Sequence, residues 1–339
     1  MRSKQLILGL LVSGVMPLGA RASTLAYDNY LITTTGGVSP QAPANGYYAA
    51  ATSLASQASV SPFGFSNSLG GTGTAQYQSQ TVPLTYSLVA TPTNAGKVGY
   101  LNPGTTTATR STARNLASPA DSTPSSVYYE SFLVNEGTWS PGTATAAPRS
   151  ILTGFGNSTV PPANGSSGSG VKGIYVGFAQ DGSSAQLTDG GNLVLRYDAN
   201  GTMADIDMVD GGGTNSIQNI TYLVVAEIDT TSDDNGDETI NWWVDPTNAT
   251  SDSTMTSTAL ASGSVANATA YSNAGTDFVR LNYFSQNWGS SVSAGAYFDD
   301  PTLSTDLAGQ NFVAVPEPAS MSLLGFSALG LLRRRSTRR

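Results

Sequence analysis

The sequence predicts an all-β fold in which two antiparallel sheets pack as a sandwich. Three observations lead there. Short runs rich in Val, Ile, Leu, Phe, Tyr and Trp recur from residue 126 onward, separated by clusters of Gly, Asn, Asp, Pro and Ser. No run between them repeats its apolar residues at helical spacing, which disfavours a parallel α/β sheet. Only 11% of residues are charged and 37 are glycine, a composition poor in helix formers and suited to strands with long turns.

The elements follow in order. Leu25 to Asp28 and Tyr30 form a first strand, and Ala75 to Tyr86 alternates like another. Asn45-Gly46 is a turn, and Ala49 to Ala58 is loop or a single helical turn. Residues 102–126 are Thr, Ser and Pro rich and read as a long loop. Strands are then expected at 127–134, 151–155, 173–179 and 191–198. Asn200-Gly201 is a hairpin turn. After it, Met203, Asp205, Asp207 and Val209 should share one face, and Ala204, Ile206 and Met208 the other. Two strong strands, 222–228 and 239–244, flank an acidic turn, and 278–284 and 296–298 close the series.

Both ends carry export signals. Arg2 and Lys4 precede an apolar stretch from Leu6 to Leu18 and an Ala20-Arg21-Ala22 cleavage site, so residues 1–22 read as a signal peptide for signal peptidase. At the other end stand Pro316-Glu317-Pro318, an apolar run Met321 to Leu332, and Arg333, Arg334, Arg335, Arg338 and Arg339. That run of 12 residues would span roughly 18 Å as a helix, short for a bilayer core of about 30 Å. A short span with a basic stop suits a transient handle better than a permanent anchor. The intervening β-sandwich domain is expected over 23–310.

The triplet, short apolar helix and arginine cluster of 315–339 resemble the PEP-CTERM sorting signal of Gram-negative bacteria. That resemblance implies recognition by an exosortase-type processing enzyme through Pro316, Glu317, Pro318, Arg333, Arg334 and Arg335. It also implies transient inner-membrane anchoring, removal of the tail, and delivery to the outer cell surface or an exopolysaccharide matrix. A second resemblance runs through the domain. The strand order ending in the Asp245-Pro246 hairpin and in Phe298-Asp299-Asp300 is similar to the concanavalin A-like, LamG-type jelly roll. It implies a jelly-roll sandwich and leaves activity open, because that fold hosts lectins, glycosidases and adhesion modules.

Charge and residue types exclude much chemistry. Between residues 23 and 315 there are seven basic and 22 acidic residues, a net charge of −15. Such a surface argues against nucleic acid as a partner. With no histidine and no cysteine, Ser-His-Asp and Cys-His catalysis, His-ligated zinc and disulfides are all excluded.

Three constellations remain. Asp205, Asp207 and Asp210 approach the E-x-D-x-x-E spacing of jelly-roll β-glucanases, but aspartate stands where each glutamate would reach the sugar. The alternative is a polar stripe running into Gly211, so no catalytic residue is assigned. Asp233, Asn235 and Asp237 are spaced like the first ligands of a calcium loop, while Gly236 falls where a hairpin turn would put it. Calcium is therefore the one cofactor candidate. Trp242 and Trp243 must face opposite sides of one strand, leaving at most one in the core; Trp243, with the loop residue Trp288, is a candidate for stacking on sugar rings. The alternative is core packing and loop pinning. The leading reading is an exported, non-enzymatic structural or adhesion protein of the envelope or matrix. A lectin-like module that binds exopolysaccharide or another glycan is the alternative, and a jelly-roll glycoside hydrolase a distant one.

Overall fold

The computed structural model describes residues 24–27, 65–72, 76–80, 84–89, 98–102, 110–120, 126–137, 149–157, 165–167, 172–180, 191–199, 201–211, 217–230, 238–268, 278–286, 295–310 and 312. The signal peptide, the sorting tail, the 231–237 acidic turn, Trp139 and Trp288 lie outside them.

Among the described residues, fifteen strands build two antiparallel sheets. The larger contains β1 (Thr24–Tyr27), β3 (Gln76–Gln80), β4 (Val98–Asn102), β6 (Val127–Glu136), β11 (Thr221–Asp229), β12 (Glu238–Val244), β13 (Ala261–Ala268) and β15 (Ala296–Ser304). Their order is β13-β12-β11-β6-β15-β4-β3, with β1 added to β15. The smaller contains β2 (Phe65–Thr72), β5 (Arg110–Ala120), β7 (Arg149–Gly156), β8 (Tyr175–Gln180), β9 (Asn192–Ala199), β10 (Thr202–Val209) and β14 (Phe278–Gln286). Its order is β10-β9-β8-β7-β14-β5-β2. The chain crosses repeatedly between the sheets, and late strands β14 and β15 insert between early ones. This is the jelly-roll sandwich anticipated from the sequence.

The alternating strands put their apolar residues where a sandwich needs them. Tyr128, Phe132 and Val134 of β6 and Tyr222, Val224 and Ala226 of β11 face Ile151 and Phe155 of β7, Val176 and Phe178 of β8 and Leu281 and Tyr283 of β14 in one core. Each fully buried Val, Leu, Ile or Phe among them contributes about 1.5–3 kcal/mol. A smaller apolar layer lies on the opposite face of the larger sheet. There Leu133, Leu223, Val225 and Trp243 pack beneath Leu88, Val89 and Met255. Strand β6 is therefore buried on both faces, which explains its nearly continuous apolar reading.

Several expectations change. Residues 110–120, expected as loop, form β5, paired to β14 on one side and β2 on the other. Their Ser, Thr and Arg content hid the strand, because its stability comes from neighbours rather than from propensity. Helix α1 (Asp252–Thr258) and β13 were not foreseen. α1 is too short and polar to announce itself; the Ser251 hydroxyl caps it by accepting from Thr254 N, and Met255 is its one buried residue. In β10 the strict alternation breaks at an irregularity between Asp207 and Val209, so Val209 packs on the core beside Met208. No described helix is long and apolar enough to cross a membrane.

Central strands β7 and β8 approach closely at Gly154, where an added Cβ would sit 1.9 Å from the Ile174 carbonyl oxygen and 2.8 Å from Tyr175 Cα. Both contacts are backbone and cannot yield cheaply. Gly154→Ala is expected to cost about 1–3 kcal/mol or more, read as a lowered denaturant midpoint with a retained β-sheet spectrum.

Candidate functional site

A buried polar arrangement lies on the face of the smaller sheet turned away from the inter-sheet core. Residues paired across antiparallel strands share a face, and the register lines up Asp205 on β10, Arg196 on β9 and Tyr175 on β8. The line continues over Gly154 on β7 to Asn282 on β14. Leu152, Val194 and Phe284 accompany it in a second apolar cluster on this face.

Arg196 organises the site. It is 1% exposed and heads the fully buried side chains by size. Its Nε donates to Asp205 Oδ1 at 2.6 Å and its Nη2 to Asp205 Oδ2 at 2.8 Å. Nη1 reaches Ser150 Oγ on β7 at 3.2 Å. On the intervening strand β8, Gly177 has a φ of 153° and approaches the Ile151 carbonyl so closely that a side chain is excluded there. A planar guanidinium bound by both carboxylate oxygens is the strongest geometry such a pair adopts. It is also committed: both carboxylate oxygens of Asp205 are taken up by the guanidinium. Asp207 and Asp210 point to solvent. The glucanase-like spacing thus resolves into one buried ion pair and two exposed carboxylates.

Nearby, the Asn282 side chain is fully buried, and its Oδ1 has no hydrogen-bond partner among the described residues. Its Nδ2 makes long contacts of 3.5 Å and 3.4 Å with the carbonyls of Gly154 and Arg280. A buried amide left half satisfied costs free energy unless something else fills it. Arg280, half-buried, stands two residues away on the same strand face.

Two carboxyl groups elsewhere are shifted strongly. Glu136, at the end of β6, is buried; burial pushes its carboxyl up to about 8, against the Gly191 N–H that donates to Oε1 at 2.9 Å. Glu227 on β11 is pushed up to about 7, first by burial and then by the charge of Asp252 at the start of α1. Asn241 Nδ2 donates to Glu227 Oε1 at 3.0 Å, and Tyr129 Oη donates to Asp252 Oδ1 at 3.2 Å. None of these buried groups was singled out in the sequence. Glutamates inside otherwise apolar strands were the available signal.

The expectation that one of the adjacent tryptophans is exposed is corrected. Trp242 lies on the inter-sheet core at 8% exposure, and Trp243 lies under α1 at 3%. The Trp243 Nε1 donates to Thr256 Oγ1 at 2.8 Å. Both faces of β12 are covered, so facing opposite sides leaves neither ring to solvent. Trp243 is a pin between β12 and α1 and not a stacking platform. Trp288, the calcium-loop candidates Asp233, Asn235 and Asp237, and the sorting residues Pro316, Glu317, Pro318, Arg333, Arg334 and Arg335 lie outside the described residues. Among the described residues no group of three or more acidic side chains could hold a metal ion.

Comparison with known proteins places the tail firmly. Residues 314–339 match the PEP-CTERM protein-sorting motif. The tail marks an exported, surface-destined protein that is sorted by an exosortase. No curated protein matches the chain. Among solved structures, the PL-14 alginate lyase from Aplysia kurodai is similar at a TM-score of 0.37 and 10% identity, covering 65% of this chain and 87% of that one. The Emp47p carbohydrate recognition domain is similar at 0.35 and 10%, covering 71% and 89%. The Lotus tetragonolobus seed lectin is similar at 0.34 and 11%, covering 67% and 96%.

Removing one partner of the buried pair should cost far more than removing both. Asp205→Asn strands the Arg196 charge and is expected to cost about 3–5 kcal/mol, whereas Asp205→Leu with Arg196→Met should recover most of that loss. A double-mutant cycle by denaturant unfolding reads the difference. The raised carboxyls set a pH slope. Glu136 and Glu227 keep their protons in the folded state to about 8 and 7, but lose them near the ordinary carboxylate range when unfolded. The folded state therefore binds more protons, and stability falls as pH rises from about 4 to about 8. Glu136→Gln should flatten that decline, measured as denaturant midpoints across the range.

Proposed function

We propose that the mature chain is a non-enzymatic structural or adhesion protein of the cell envelope or exopolysaccharide matrix. The sorting motif at 314–339 carries this reading, because it assigns the domain in front of it to the cell exterior. The interior supports it. The aspartate nearest a catalytic spacing is consumed by Arg196, and the tryptophan nearest a sugar-stacking role is consumed by α1. Polar groups spent inward make a stiff module whose outward work falls to its surface. That surface carries the acidic excess of the mature sequence, which suits hydrated, ion-rich surroundings. Transient anchoring of Met321 to Leu332 in the inner membrane, with the arginines held on the cytoplasmic side, precedes release.

A second reading is a lectin-like module. Asn282 favours it: a buried side-chain carbonyl with an open hydrogen-bonding position, beside a half-buried arginine, is the kind of group a glycan hydroxyl could satisfy.

Cell fractionation tests the first reading. The chain is expected in the surface or matrix fraction with its tail removed, and deletion of residues 315–339 should abolish surface retention. Recovery of the untrimmed chain in the inner membrane would sink it. A glycan and exopolysaccharide screen, with calcium and with chelator, separates the two readings. Binding lost in Asn282→Leu or Trp288→Ala would establish the module; turnover of any glycan would defeat both.

A further inference from the structure

We propose that the Asp245–Pro246 peptide bond is a self-cleavage site, at which the Asp245 side-chain carboxyl attacks its own main-chain carbonyl. The chain has two Asp–Pro bonds, Asp245–Pro246 and Asp300–Pro301. The described residues include three non-glycine positions at left-handed φ: Asn219 at 60°, Asp245 at 50° and Asp300 at 47°. Both aspartates that precede proline are among them. An L-residue pays to enter that region, and a residue before proline is driven toward extended φ instead. Asp245 violates both preferences, so the backbone is strained at this residue.

The surroundings hold the bond in place from both sides. Asp245 N donates to the Leu223 carbonyl at 2.8 Å, and Leu223 N donates to Asp245 Oδ1 at 2.8 Å. Beyond the bond, the Tyr86 hydroxyl donates to the Pro246 carbonyl at 3.3 Å. With Oδ1 tied to β11, Oδ2 is the attacking oxygen. It forms a C–O bond to the Asp245 carbonyl carbon and closes a five-membered anhydride. The C–N bond to Pro246 breaks, and the carboxyl proton passes to the proline nitrogen, which leaves as a secondary amine. Water then opens the anhydride to two carboxyl groups, so one water is consumed overall. Proline is the favourable leaving residue because its ring nitrogen is more basic than an ordinary amide nitrogen.

The step needs the carboxyl proton, and burial, opposed by the Leu223 N–H, pushes the Asp245 carboxyl up to about 6. The groups facing it are the Tyr86 and Tyr222 phenols, both themselves raised and neutral here, with Glu136 acting on Tyr222 from beyond. Cleavage should therefore run at mildly acidic pH and fall as pH rises through about 6. Asp300–Pro301 shares the φ but not the setting. It lies within β15, 6% exposed, so the water that must open the anhydride is kept out. Asp245 follows the last residue of β12 and is only half-buried. A nick there would leave the halves joined, because β14 sits between β7 and β5, and β15 between β6 and β4.

The test incubates the full folded chain at about pH 5 and about pH 8, beside the same chain in denaturant. Denaturing gels, intact mass and N-terminal sequencing follow the products. Cleavage before Pro246 is expected about tenfold faster in the folded chain than in the denatured one. It should outpace cleavage before Pro301 in the folded chain and be slower at about pH 8. Native gels should show the nicked halves together. Asp245→Glu, which lengthens the side chain out of five-membered closure, should stop it. Pro246→Ala, which supplies a poorer leaving group, should also stop it and serves if the glutamate variant misfolds. Equal rates in folded and denatured chain, an intact folded chain at about pH 5, or undiminished cleavage in Pro246→Ala would each overturn the proposal.

Discussion

The rings of Phe132 and Phe155, with centroids 5.8 Å apart, bridge the two sheets at the centre of the sandwich. Phe65 stacks on the other side of Phe155 at 6.3 Å, and Arg114 lies over Phe65 at 5.1 Å. Nearby, Tyr283 meets Phe298 across the same gap at 6.0 Å. Without cysteine there is no covalent staple, so this aromatic seam carries the coherence of the domain. Strands β6, β7, β14 and β15 supply rings to it from inside their sheets, and Phe65 adds one from the edge strand β2.

Burial of both sheet faces has a chemical consequence. A sandwich with one wet face on each sheet can leave polar side chains to water. Here the second face of each sheet also carries a buried cluster. Every polar group on those faces needs an internal partner or must lose its charge. Arg196 and Asp205 take the first course. Glu227, on the outer face of the larger sheet, takes the second, its carboxyl pushed up to about 7 by burial and by the charge of Asp252. Such groups gain little stability over apolar residues of the same volume, but they penalise any slip of strand register, since a one-residue shift would separate the pair. For a protein destined for the cell surface, a fold that resists local opening is a useful property.

Terminal signals and sandwich domain answer different questions. The tail assigns a destination and a processing enzyme, and its chemistry is confined to a short stretch. The domain supplies the body that is delivered. Its strongest buried interactions are internal ones, so its contacts with neighbours fall to loops, edges and acidic surface.

By itself the sequence determined the class of fold and the export route. Both rest on local patterns: alternation within strands such as 222–228, the hairpin at Gly201, and the ordered triplet, apolar run and arginines of the tail. Local patterns are written in consecutive residues and need no partner to be read. The tertiary structure decided everything that depends on who lies opposite. It made a strand of 110–120 by flanking it with β14 and β2. It took Trp243 out of solvent by laying α1 over it, and turned Asp205 from a catalytic candidate into the counter-ion of Arg196. Asp205 and Arg196 are cross-strand partners through the hairpin, yet the burial that locks them comes from the rest of the sheet. Burial and long-range pairing are properties of the assembled layers, and no window of neighbouring residues contains them.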